Sequence, residues 1–121
     1  METNIQSQEQ LQYAEVYISD MWVLKKIFQQ TQGTGKVNQE FGMPFLLAKK
    51  KNEVIAFASL VANEKEVITF NIYHKEEIKE AEKNNFISKV ERYFRKNNTS
   101  NFRNPEQLKN SIYKMVSWLN Q

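Results

Sequence analysis

The sequence predicts an α+β domain, an antiparallel sheet covered by helices, on three observations. Three short runs within about 45–73 are rich in β-branched and aromatic residues and are separated by polar turns. The middle run is apolar on both alternating faces, so both faces of a strand there need cover. The stretches on either side repeat apolar residues at helical spacing, which supplies that cover.

In chain order, residues 1–8 are polar and are expected to fray. From Leu11 two readings stand side by side. One is a single helix to about Gln30 with Leu11, Ala14, Ile18, Met21, Leu24 and Phe28 on its apolar stripe. The other is a strand over Tyr13–Ile18, a cap at Ser19 or Asp20, and a helix from Met21 to about Thr31. Gln32-Gly33-Thr34-Gly35 ends the helix, and a loop with Asn38, Gly42 and Pro44 leads to the sheet.

The first strand is Phe45-Leu46-Leu47-Ala48, followed by a turn near Asn52. The second runs from Val54 to Ala62 and contains Ser59 among apolar neighbours. After the turn Asn63–Glu66, the third, Val67 to Tyr73, alternates Ile68, Phe70 and Ile72 with a mixed face, the pattern of a half-covered strand. A helix is expected from Glu76 to Lys96, its early carboxylates matching the positive end of the dipole and Asn84-Asn85 marking a break or bend. A last helix opens at Asn104, with Pro105 at its first position, Gln107 placed for a capping box, and Leu108, Ile112, Met115, Val116 and Leu119 facing the core.

At 121 residues the chain is expected to form one domain, 1–121. It has no cysteine, which excludes disulfides, thiolate metal sites and thiol nucleophiles, and its single histidine, His74, excludes a multi-histidine zinc site. No metal is therefore expected. No apolar run approaches the ~20 residues a membrane span needs, and the amino terminus lacks signal-peptide character, so a cytoplasmic protein without membrane contact is the expectation. The net charge is +3, and its basic part lies in the last quarter, where seven Lys and Arg stand against Glu91 and Glu106.

The order helix, three-stranded meander, helix and Asn-capped helix resembles the GNAT-type N-acetyltransferase fold. The likeness is strongest from Phe45 to Tyr73, where Phe-Leu-Leu-Ala, Val54 to Leu60 and Val67 to Tyr73 resemble three consecutive family strands. Glu76 to Lys96 and Asn104 to Leu119 resemble two later family helices, and Tyr13–Ile18 with Met21–Thr31 would match the first strand and helix. The resemblance implies an acetyl-coenzyme A site beside the third meander strand, with the backbone of Phe70, Ile72 and Tyr73 near the acyl group. The family's Gly-rich turn for the coenzyme pyrophosphate is missing. Its place is taken by His74-Lys75-Glu76-Glu77-Ile78-Lys79-Glu80, whose carboxylates repel a pyrophosphate, and no glycine follows Gly42. Gln30 to Gly35 fits the letters of that turn but follows a helix and precedes the sheet, the reverse of what the chemistry needs.

His74, with Glu76 and Glu77 beside it, is the candidate general base. Ser59 lacks a nucleophile elbow and reads as packing, and the carboxylates after His74 read as an acidic first helical turn. Lys89, Arg92, Arg95, Lys96 and Arg103, interleaved with Tyr93, Phe94 and Phe102, are a candidate nucleic-acid surface. Helical spacing assigns Tyr93 and Phe94 to the core instead. Trp22 and Trp118 read as core or interface anchors. The leading expectation is thus a non-enzymatic domain that binds another protein and carries no cofactor. A divergent acyl-coenzyme A-dependent N-acyltransferase is the alternative, and a weak nucleic-acid binder the third.

Overall fold

The computed structural model describes residues 11–121, and the expected fraying of 1–8 falls outside them. The second reading of the amino terminus holds: β1 (Gln12–Glu15) leads through a 3-10 turn (Ile18–Asp20) into α1 (Met21–Gln32). Asp20 does not cap α1 with its side chain; its carboxylate reaches back to accept the Tyr17 N–H at 2.8 Å. Gly33 closes α1 in the left-handed conformation, its N–H and that of Thr34 both donating to the Gln29 carbonyl. The Gln30–Gly35 segment is thus a helix end.

A second 3-10 turn (Gln39–Phe41) precedes β2 (Met43–Lys50), β3 (Glu53–Ala62) and β4 (Ile68–His74). The sheet has four strands in the order β1-β2-β3-β4, every pair antiparallel, so β1 adds to the expected meander. Lys51 and Asn52, both at positive φ, make the tight turn between β2 and β3. Asn63 builds the next turn, its side-chain oxygen accepting the N–H groups of Lys65 and Val67.

Alternation assigns the two faces. Leu47, Phe57 and Tyr73 are cross-strand partners on one face, where α1 lies and Phe28 and Phe41 complete an aromatic cluster with ring centroids 5.1–5.6 Å apart. The Tyr73 hydroxyl donates to the Glu40 carbonyl at 2.5 Å, tying β4 to the loop before β2. Tyr13, Leu46, Ala58, Phe70 and Ile72 occupy the other face. There α2 (Glu80–Lys96) crosses from Tyr13, which stacks on Phe86, to Phe70, which meets Phe94 edge-on. An irregularity between Pro44 and Leu46 turns Phe45 onto this second face, against Tyr93 and Phe102.

α2 begins at Glu80, four residues later than expected. Glu76 and Glu77 belong to the loop that carries the chain over the sheet end, where Lys75 N–H bonds the Ile55 carbonyl and its ammonium meets Glu53 at 2.5 Å. Glu82 caps α2 by accepting the Lys79 N–H at 3.0 Å and pairs with Lys50 at 3.0 Å. Asn84-Asn85 introduces no break. A short helix absent from the sequence reading, α3 (Ser100–Arg103), holds Phe102 against Phe45 and Phe94.

α4 (Pro105–Leu119) starts as expected, Asn104 Oδ1 accepting the Gln107 N–H at 3.0 Å. The Asn104 N–H is taken by the Ser100 carbonyl, so the Gln107 side chain has no reciprocal bond to make. Leu108, Ile112, Val116 and Leu119 are buried, and α4 contacts β2, β3 and α1. No helix among the described residues is long and apolar enough to cross a membrane.

Candidate functional site

The ends of α1 and α4 meet in a pair of tryptophans. Trp22 occupies the first turn of α1 and Trp118 the last turn of α4, their rings 5.1 Å apart and tilted by 49°. The Lys25 ammonium lies 5.4 Å over the Trp22 ring and donates to the Leu119 carbonyl, one of the free carbonyls at the end of α4. Asn120 fastens the same helix end to the loop after α1, bonding both the N–H and the carbonyl of Val37. The pair therefore sits on a rigid junction.

The pair faces outward. Trp22 is 48% exposed, Tyr17 68%, Ile18 65% and Val23 43%, while Trp118 is half-buried behind Trp22. The reason lies in the phase of α1: Met21, Leu24, Ile27 and Phe28 take its buried stripe, and Trp22 and Val23 fall off it. Ile18 stands one turn before Trp22 and so extends the apolar surface along the chain. The sequence placed Ile18 on a buried stripe in one reading and inside a strand in the other. In the structure it belongs to the 3-10 turn, which directs it to solvent. The out-of-phase Trp22 was the available signal.

His74 ends β4 and, with Lys75, Glu76, Glu77, Gln30 and Thr31, lines an open groove of about 430 Å³. Its Nδ1 faces the Lys75 carbonyl at 2.9 Å. A carbonyl only accepts, so Nδ1 carries the proton and Nε2 is the basic nitrogen. This backbone bond, rather than Glu76 or Glu77, orients the ring. Phe70 and Ile72 lie half-buried on the α2 face, whereas Tyr73 is buried on the α1 face. Burial pushes the Tyr73 phenol above its ordinary pKa, with the Asn71 amide working against that shift and the Glu40 charge adding to it. Ser59, fully buried, is packing. Among the described residues no cluster of three His, Asp or Glu side chains could hold a metal ion.

Of the five cations in the candidate nucleic-acid set, Lys89, Arg92 and Lys96 come together with Tyr93 along a shallow groove of about 180 Å³. Lys89 stands 5.9 Å over the Tyr13 ring. Arg95 instead lies 3.9 Å from Glu91, and Arg103 donates to Asn98 at 2.7 Å. Tyr93, Phe94 and Phe102 pack against one another and the sheet. All three rings are half-buried, and of them Tyr93 lines the groove beside the cations.

No family model, curated protein or solved structure matches the chain.

Proposed function

We propose that this domain binds another protein through the surface formed by Tyr17, Ile18, Trp22, Val23 and Trp118. The observation that carries this reading is the exposure of Trp22 while its ring is held against Trp118 and beneath Lys25. A large ring left half in water is weakly used by the fold. A tryptophan already fixed in place loses little side-chain entropy when a partner covers it, which is how binding hot spots are built. Exposed Lys26 and Lys114 each lie one turn from a tryptophan on their own helix, a rim suited to a partner with carboxylates around an apolar centre.

Comparative affinity capture from an extract of the source cells tests the reading, using the natural chain and Ile18→Ser/Trp22→Ser. A protein retained by the first and lost by the second, with both baits folded by circular dichroism, supports it. Equal retention by both contradicts it.

The groove at His74 favours one other reading, the divergent acyl-coenzyme A-dependent N-acyltransferase, with Nε2 as base. It ranks second because Glu76 and Glu77 line that groove and oppose an anionic cofactor. Millimolar acetyl-coenzyme A raising the melting temperature by several degrees would promote it, and an unchanged melting temperature would remove it.

A further inference from the structure

The outer edge of β4, which ends the sheet, has no strand partner among the described residues. Lys75 N–H bonds Ile55 and Asn63 N–H bonds Val67, so Lys75, Tyr73, Asn71, Thr69 and Val67 direct their backbone groups toward β3. By alternation Ile68, Phe70 and Ile72 direct theirs outward.

Folded chains guard such an edge with charge, proline, a bulge or brevity. The opposite edge is guarded: β1 has four residues and ends in Glu15, which engages the Tyr93 hydroxyl. β4 has none of these devices. It is seven residues long, carries no Lys, Arg, Asp, Glu or Pro, and pairs with β3 without a register shift. Its outward residues are half-buried Ile68, Phe70 and Ile72, and Val67 beside it is 53% exposed.

We infer that β4 pairs antiparallel with β4 of a second copy of this chain, about a two-fold axis through Phe70. The sequence of the edge selects that occupant. A two-fold interface must be complementary to itself, and Ile68-Thr69-Phe70-Asn71-Ile72 reads apolar, polar, apolar, polar, apolar in either direction. With Phe70 on the axis, Ile68 meets Ile72 of the second copy and Thr69 meets its Asn71. Within these five residues apolar side chains then pair on the α2 face and polar ones on the α1 face. The same register puts exposed Val67 opposite Tyr73 of the second copy and carries Glu66 toward its His74. Lys65 meets Lys75 of the second copy, whose charge Glu53 already pairs. Each outward residue exchanges two backbone hydrogen bonds with its opposite, and the two four-stranded sheets become one.

Sedimentation equilibrium of the chain over a dilution series, with amide hydrogen exchange on the same samples, tests this. The expected result is a species of twice the 14.4 kDa chain mass in which the Phe70 and Ile72 amides are as protected as those of Thr69 and Asn71. A monomer throughout overturns the inference, whether or not another segment or partner shields the edge. A dimer whose Phe70 and Ile72 amides exchange freely overturns it too, since its contact lies elsewhere. The chain has no cysteine, so Thr69→Cys/Asn71→Cys adds a register test. These positions face each other as a non-hydrogen-bonded pair about 4.5 Å apart at Cα, within disulfide reach. Mild oxidation is expected to give a covalent dimer, and a chain that stays uncrosslinked overturns the register.

Discussion

Trp22 and Trp118 touch at 5.1 Å across the junction of α1 and α4, and they are the only tryptophans in the chain. Lys25 joins the same junction by reaching from above the Trp22 ring to the Leu119 carbonyl. The contact fixes two large rings at the surface and leaves one of them half in water. Its worth to the fold is correspondingly small.

Trp22→Ser is expected to cost about 2 kcal/mol of stability, one aromatic pair contact together with the burial of about half the ring. Phe57→Ala removes a fully buried ring from the cluster with Phe41 and Tyr73 and is expected to cost about 3–5 kcal/mol. Urea unfolding of the two variants checks the ratio. Equal costs would mean that Trp22 is a core residue.

Gly42 has φ +69°, and a Cβ there would lie 2.4 Å from the Leu60 carbonyl oxygen and 3.0 Å from Ser59 Cβ. The loop before β2 presses its backbone onto β3 at this point, which places Phe41 against Phe57. Gly42→Ala is expected to destabilise by more than about 1–3 kcal/mol, since the strained conformation alone costs that much. Gly35, with open space around it and no positive φ, is the control, and Gly35→Ala is expected to leave the melting temperature unchanged or raise it slightly.

Ser59 Oγ is buried on the face toward α1 with no hydrogen-bond partner. Leaving a hydroxyl unpaired in a core costs about 1–3 kcal/mol. Ser59→Ala is therefore expected to raise stability by about 1 kcal/mol after the lost packing of one atom, read as a shift of the urea midpoint at constant slope. A loss of stability would show that the hydroxyl has a partner after all.

Tyr93 donates its hydroxyl to Glu15, binding α2 to β1. Burial and then the Glu15 carboxylate push its phenol up to about 12. The native state thus holds this proton more tightly than the unfolded chain, whose tyrosines titrate near 10. The contribution to stability is whole below about pH 10 and is lost as the pH rises toward 12. Absorbance titration of the phenolates is expected to show this late transition, and Glu15→Gln to move it downward. An unmoved curve would contradict the contact.

The strands were legible because Val, Ile and Phe cluster between Asn-containing turns, and α4 because Asn104 and Pro105 announce it. The strand at Tyr13 was less so. Four residues carry too few periods to decide between strand and helix, and only pairing with Ala48 and Leu47 of β2 settles it. The start of α2 was misread because Glu76 and Glu77 look like a first turn, whereas Lys75 is held to Ile55 and the chain must still cross the sheet end. The contact between the two tryptophans was out of reach of the sequence, although each reads there as an anchor. Its two members lie at opposite ends of the chain, and only the docking of α4 beside α1 brings them together.

Tryptophan emission of the domain, titrated with a protein that the natural chain retains, tests the proposed binding surface most directly, since every tryptophan lies in it. The expected result is a blue shift and a loss of acrylamide quenching that saturate together with binding. Saturated binding with unchanged emission and quenching would place the partner elsewhere on the molecule and contradict the proposed surface.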